Sequence, residues 1–158
     1  MPLKWNLNAV LMLIPLLMIS NCQRNDPIQI TDAWIRAVPP SRDVTGAFMV
    51  IENLSPQDNA LIAVETVLAD TVEIHEMVYV DEMMKMQPVP EITIPGGGKA
   101  ELKPGGYHMM LFGMKKQPAE GDSVFFTLYF KDQTTRIAKA FVRKSAPAGP
   151  ATQPASKD

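Results

Sequence analysis

Residues 124–130 read VFFTLYF, and their alternation decides the fold class. With a period of two, Val124, Phe126, Leu128 and Phe130 share one face, while Phe125, Thr127 and Tyr129 share the other. Such a run is a strand, with one large apolar face to bury against a second layer. The turn-forming cluster KDQTT follows at 131–135, and then another strand, Arg136–Arg143. Working back towards the N-terminus, the same signature recurs at Tyr107–Phe112, Met83–Val89, Thr71–Val80, Ala60–Thr66, Gly46–Glu52 and Ile28–Val38. Between these runs stand PPSRD, NLSPQDN, IPGGGK and KPGG. Short strands at this spacing, with no amphipathic helical segment of useful length, predict an all-β fold, an antiparallel β-sandwich.

The bulk properties agree with one domain. The chain has 158 residues, 46% of them hydrophobic, and 14 prolines, which suits a β-rich protein with a loose tail. A formal net charge of −2 and the absence of a basic run argue against nucleic-acid binding. Residues 1–21 read as a secretory signal peptide: Lys4 precedes an apolar run from Ala9 to Ile19 that is short for a bilayer span. It ends at Cys22, the only cysteine. Ile19-Ser20-Asn21-Cys22 resembles a bacterial lipobox, with Asn21 where a small residue is usual. Cys22 is thus the expected lipidated mature N-terminus. An unlipidated exported protein cleaved nearby is the plainer alternative. Either way the domain, residues 27–144, is expected in the periplasm or on the extracytoplasmic face of the membrane. Membrane contact is expected only through the N-terminal lipid. Residues 145–158, SAPAGPATQPASKD, read as a disordered tail.

The candidate chemistry lies in two histidines and their neighbours. Of eleven methionines, seven (Met77, Met83, Met84, Met86, Met109, Met110 and Met114) fall within residues 77–114, a segment that holds His108 and begins two residues after His75. Methionine ordinarily fills irregular gaps in a core. Here several sit beside Glu76, Asp81, Glu82 and Lys85. Strand alternation places His108 with Met110, His75 with Met77 and Tyr79, and Met84 with Met86. The acids at 81–82 mark a turn. Two or three strands can therefore bring imidazoles and thioethers to one point. That donor set is neutral and soft: thioether selects Cu(I), and imidazole is shared among several metals. Zinc would recruit thiolate or carboxylate instead, whereas silver(I) shares the chemistry of Cu(I). Methionine and histidine also suit an oxidising compartment better than thiolates do.

The interval from His75 across ten residues to Met86, twenty-one to His108 and one to Met110 resembles the signature of the PCuAC copper chaperones. HEM, MKM and PGGYHMML (104–111) are similar to that family's motif surroundings. So are AWIRA (33–37) with Pro39-Pro40, GAF (46–48) and IEN (51–53). The resemblance covers roughly residues 28 to 144 and implies a cupredoxin-like or immunoglobulin-like β-sandwich holding one Cu(I) near its surface. The implied ligands are His75, Met86, His108 and Met110. The implied role is copper delivery to the CuA centre of cytochrome c oxidase subunit II, alongside a Sco-type thiol protein. Met77, on the face of His75, is the possible spare ligand. The tail after Arg143 carries neither Met nor His, so the second, Cu(II)-binding extension of some members is not expected.

Other function classes fare less well. A blue-copper electron carrier needs a cysteine thiolate, and Cys22 lies outside the domain. A metalloenzyme needs an open coordination position and a general base. Glu73 or Glu76 can be nominated, but no second catalytic group accompanies them, so no enzymatic activity is expected. A structural or adhesive lipoprotein, with the Met-rich edge as a contact surface, and a periplasmic copper storage or tolerance protein are the alternatives.

Overall fold

The alternation in VFFTLYF is realised residue for residue. In the computed structural model Val124, Phe126, Leu128 and Phe130 are buried, and Phe125 is exposed. The structure describes residues 26–80 and 83–144. The signal segment 1–21, Cys22, the acids Asp81 and Glu82 and the tail 145–158 lie outside the described residues.

Ten strands form: β1 (Ile28–Arg36), β2 (Val44–Asn53), β3 (Asn59–Glu65), β4 (Ala69–Val80), β5 (Met83–Pro88), β6 (Ile92–Ile94), β7 (Lys99–Leu102), β8 (His108–Met114), β9 (Ser123–Phe130) and β10 (Thr135–Arg143). Among the described residues there is no helix. The eight expected strands are all present. Two short ones, β6 and β7, flank the turn at 95–98 and are additional.

Hydrogen bonding runs in the order β5-β4-β8-β2-β1-β10-β9-β3-β6, with β7 paired to β2. Every pairing is antiparallel except β1 with β10, which is parallel, so the sheet is mixed. The path folds over on itself: β3 approaches β4, and β6 approaches both β7 and β2. The enclosed core includes Phe126, Phe130, Ile35, Met49, Ile51, Leu61, Met109 and Leu111, all fully buried. Burial of these apolar side chains is the main favourable term in the fold.

Two features position the future site. In β1 the register against β2 shifts between Thr31 and Trp34, and Asp32 adopts φ 49°. Such a bulge re-aims the side chains that follow it, and Trp34 comes to lie opposite Phe48, its ring stacked on Phe48 at 4.3 Å. Neither ring belongs to the main core cluster. At the other end, β4 and β5 form a long hairpin whose outer strand is exposed along its whole length.

Candidate metal centre

Register alone determines which side chains share a face here. On β4 and β8, His75 is directly opposite His108 and Glu73 opposite Met110. On β4 and β5, Met77 is opposite Met86 and Tyr79 opposite Met84. Directly opposed residues of an antiparallel pair project to the same side, so His75, Met77, His108, Met110 and Met86 all stand on one face of β8-β4-β5. The alternate residues Ile74, Met109 and Leu111 are buried in the core on the other face. Glu76, on the largely apolar face of β4, lies beside Tyr107. Burial pushes that phenol's pKa up, and the charge of Glu76 and a hydrogen bond to it add to the effect.

A cavity of about 380 Å³ opens on this face, lined by Met77, Met86, His108 and Met110 together with Phe48 and Arg36. Gly46 is opposite Met110, and a Cβ there would come within 3.2 Å of the Phe48 ring. The missing side chain therefore makes room for the aromatic wall. Arg36 lies 5.6 Å from the centre of the Phe48 ring, a cation–π contact at the cavity rim. His75 does not line the cavity; its ring centre is 5.9 Å from that of His108 and 6.2 Å from that of Phe112.

In the neutral ring, the hydrogen bonds place the proton of each imidazole. His108 Nδ1 lies 2.9 Å from the carbonyl of Gly106, which can only accept, so Nδ1 donates and Nε2 keeps its lone pair. That Nε2 faces Met86 Sδ at 3.2 Å, nitrogen lone pair against thioether sulfur. Two donors held this close, with no proton between them, suit a soft cation better than they suit each other. The Gly106 carbonyl also accepts from the Met77 amide at 3.3 Å, which ties the turn to β4. This turn, residues 103–106, depends on Gly105 at φ +83°, a conformation that favours glycine.

In His75 the roles are reversed. Its Nε2 lies 2.8 Å from Glu73 Oε2, so Nε2 donates to the carboxylate and Nδ1 holds the lone pair. Nδ1 is buried and has no hydrogen-bond partner among the described residues. A buried polar atom left unpaired is costly, and a metal ion would satisfy it. The donors present therefore fit Cu(I): two imidazoles, each oriented by a hydrogen bond at its other nitrogen, and thioethers beside them. Among the described residues no group of three or more His, Cys, Asp or Glu could hold a metal, so a harder ion finds no conventional site.

The structure thus brings Met86, His108 and Met110 to one cavity, with His75 beside it, and puts Met77 in the same lining. The sequence names Glu73 only as a nominee for a general base, and its bond to His75 is not read from it. Nor are the Gly106 carbonyl and the Trp34–Phe48 wall. The two-residue spacing of Glu73 and His75 on one strand was the available signal for the first.

Comparison with known proteins gives the family and the fold. The family model of the LpqE-like lipoproteins matches residues 28–142. A lipoprotein of Leifsonia xyli is 30% identical over 111 residues, which cover 70% of this chain and 66% of that relative. The chain therefore spans about two thirds of that protein's length. Among solved structures, Cu(I)-bound DR1885 from Deinococcus radiodurans is 36% identical with TM-score 0.58, covering 71% of this chain and 75% of that one. Its apo form is 34% identical with TM-score 0.59, covering 75% and 80%. The copper-bound PCuAC domain from PmoF2 shares the fold at 21% identity and TM-score 0.63, covering 75% and 94%. The chain belongs to the LpqE-like family, whose domains are of the PCuAC type.

Proposed function

We propose that this chain is an extracytoplasmic, lipid-anchored copper chaperone that holds one Cu(I) through His75, Met86, His108 and Met110. The observation that carries the reading is the pair of oriented imidazoles. His108 offers Nε2 at 3.2 Å from the sulfur of Met86, and His75 offers a buried Nδ1 that has no hydrogen-bond partner among the described residues. The Cu(I)-bound state of DR1885, a relative at 36% identity, supports the metal and its oxidation state. The lipoprotein names of the family and of the Leifsonia relative support the anchor at Cys22 and a place outside the cytoplasm.

A chaperone must hold its cargo firmly and still give it up. Here the imidazoles sit on β4 and β8, inside the sheet, and are locked by Glu73 and Gly106. Met86 sits on the edge strand β5 and is 54% exposed. The nitrogen donors supply firmness, and the exposed thioether supplies a point where an incoming ligand can displace a weak donor without dismantling the rest. Transfer of this kind is ligand exchange without a change in copper oxidation state. The acceptor we propose is the CuA centre of cytochrome c oxidase subunit II, with a Sco-type thiol protein assisting.

Anaerobic titration of the purified domain against a Cu(I) chelator tests the binding step. It should show one tightly bound Cu(I) per chain, with tight binding lost in the His75→Ala/His108→Ala variant. Mixing the Cu(I)-loaded protein with apo subunit II and then adding a one-electron oxidant should produce the absorbance of mixed-valence CuA, because the fully reduced Cu(I) centre is colourless. Absence of stoichiometric binding removes the copper reading; binding without transfer removes the acceptor and leaves storage.

A further inference from the structure

The hairpin β4–β5 carries more sulfur than one site needs, and its placement has a direction. Met77 is directly opposite Met86, and the next pair outward on the same face is Tyr79 with Met84. The face therefore continues from the cavity past Met86 and Met77 to Met84. His108 is buried, 5% exposed, whereas Met86 and Met84 are both open to solvent, 54% and 56% exposed. Solvent-exposed methionine at an edge strand gains nothing from core packing, so gap-filling does not account for Met84. Met83 is the internal contrast, because it is opposite Val80 and alternation sends it to the other face.

We infer that Met77, Met84 and Met86 form an outer, all-thioether station for Cu(I), through which the ion passes between the inner site and a partner. This rests on the copper reading above and adds a route to it. Opposed and diagonal neighbours on paired strands have Cβ atoms about 5–8 Å apart, within reach of long side chains. Three methionines at one such corner can converge on a single ion, and three thioethers select monovalent copper over harder divalent ions. Met86 belongs to both sets and is the hinge of the exchange. In the step, the bonds from copper to the two imidazole nitrogens and to Met110 break, and bonds to the sulfurs of Met77 and Met84 form. Every ligand involved is neutral, so the +1 charge moves with the ion and no electron or proton is transferred. The outer station holds the ion more weakly than the inner one, which lets a thiol or imidazole from a partner take it.

The test uses the whole exported domain and removes the inner nitrogens. The His75→Ala/His108→Ala variant should still bind one Cu(I), about 100-fold or more weakly than the wild type, with only sulfur in the copper X-ray absorption spectrum. Adding Met84→Leu should abolish that residual binding, whereas adding Met83→Leu should leave it. The inference is overturned if the folded double variant, checked by circular dichroism, binds no Cu(I), or if Met83→Leu and Met84→Leu have equal effects. Those results leave the inner site standing. Loss of Cu(I) binding by the wild type removes both readings together.

Discussion

His108 and Glu73 show how single side chains set the chemistry of this face. A carbonyl on one side of the His108 ring decides that the other nitrogen, aimed at Met86, is free. Glu73 does the same for His75, with the roles of the two nitrogens exchanged. Replacing Glu73 with leucine should release the His75 ring. Long-range ¹⁵N correlation of the apo protein will then show loss of the Nε2–H tautomer, and Cu(I) affinity should fall about 10- to 100-fold. Glu73→Gln keeps an acceptor and should restore most of both, which separates orientation from mere charge. A second prediction concerns the two opposed thioethers. Met86→Leu should lose far more Cu(I) affinity in a chelator competition than Met77→Leu, because the Met86 sulfur lies 3.2 Å from the His108 Nε2. Equal losses in the two variants contradict the assignment of Met77 as the spare.

The register of β4 turns residues distant in sequence into one site, and Gly113 packs closely against Asp70 of that strand. That glycine has φ +66°, and a Cβ there would lie 2.5 Å from Asp70 Oδ2 and 3.0 Å from Asp70 Cβ across the ladder. Gly113→Ala should destabilise the domain by about 1–2 kcal/mol in urea unfolding, from the left-handed backbone alone. The crowding against Asp70 adds to that figure. Much of this element structure was legible in the sequence. Eight strands could be read because turn clusters border most of them and their apolar residues alternate. The strands β6 and β7 escaped because three and four residues are too few to display alternation. The pairing partners were not legible either. Histidine and methionine intervals named the donors, but only the register of β4 against both β8 and β5 shows that they face the same way. The Glu73–His75 bond depends on a rotamer and the Gly106 contact on a turn conformation, neither of which leaves a pattern in the sequence.

At the scale of the molecule, the path from β5 to β6 folds over one core, and the metal face lies on the outside of it. The parallel pairing of β1 with β10 joins the two ends of the described chain. No alternation pattern could have foretold it, since parallel and antiparallel neighbours bury the same faces. Because the site is external to the core, stability and binding should separate. Leu128→Ala, deep in the core on β9, should cost about 2–5 kcal/mol of unfolding free energy. The folded fraction should still bind Cu(I) with wild-type stoichiometry. Conversely, Cu(I) at about 100 times its dissociation constant should add about 2.7 kcal/mol to the stability of the native state, seen as a rise in Tm. The His75→Ala/His108→Ala variant should show little of that rise. The central claim is that Cu(I) is held here by nitrogen and sulfur together, and X-ray absorption at the copper edge of the anaerobically loaded wild-type protein tests it most directly. The account predicts two imidazole nitrogens and two thioether sulfurs around one Cu(I). A spectrum of oxygen and nitrogen neighbours without sulfur would contradict it.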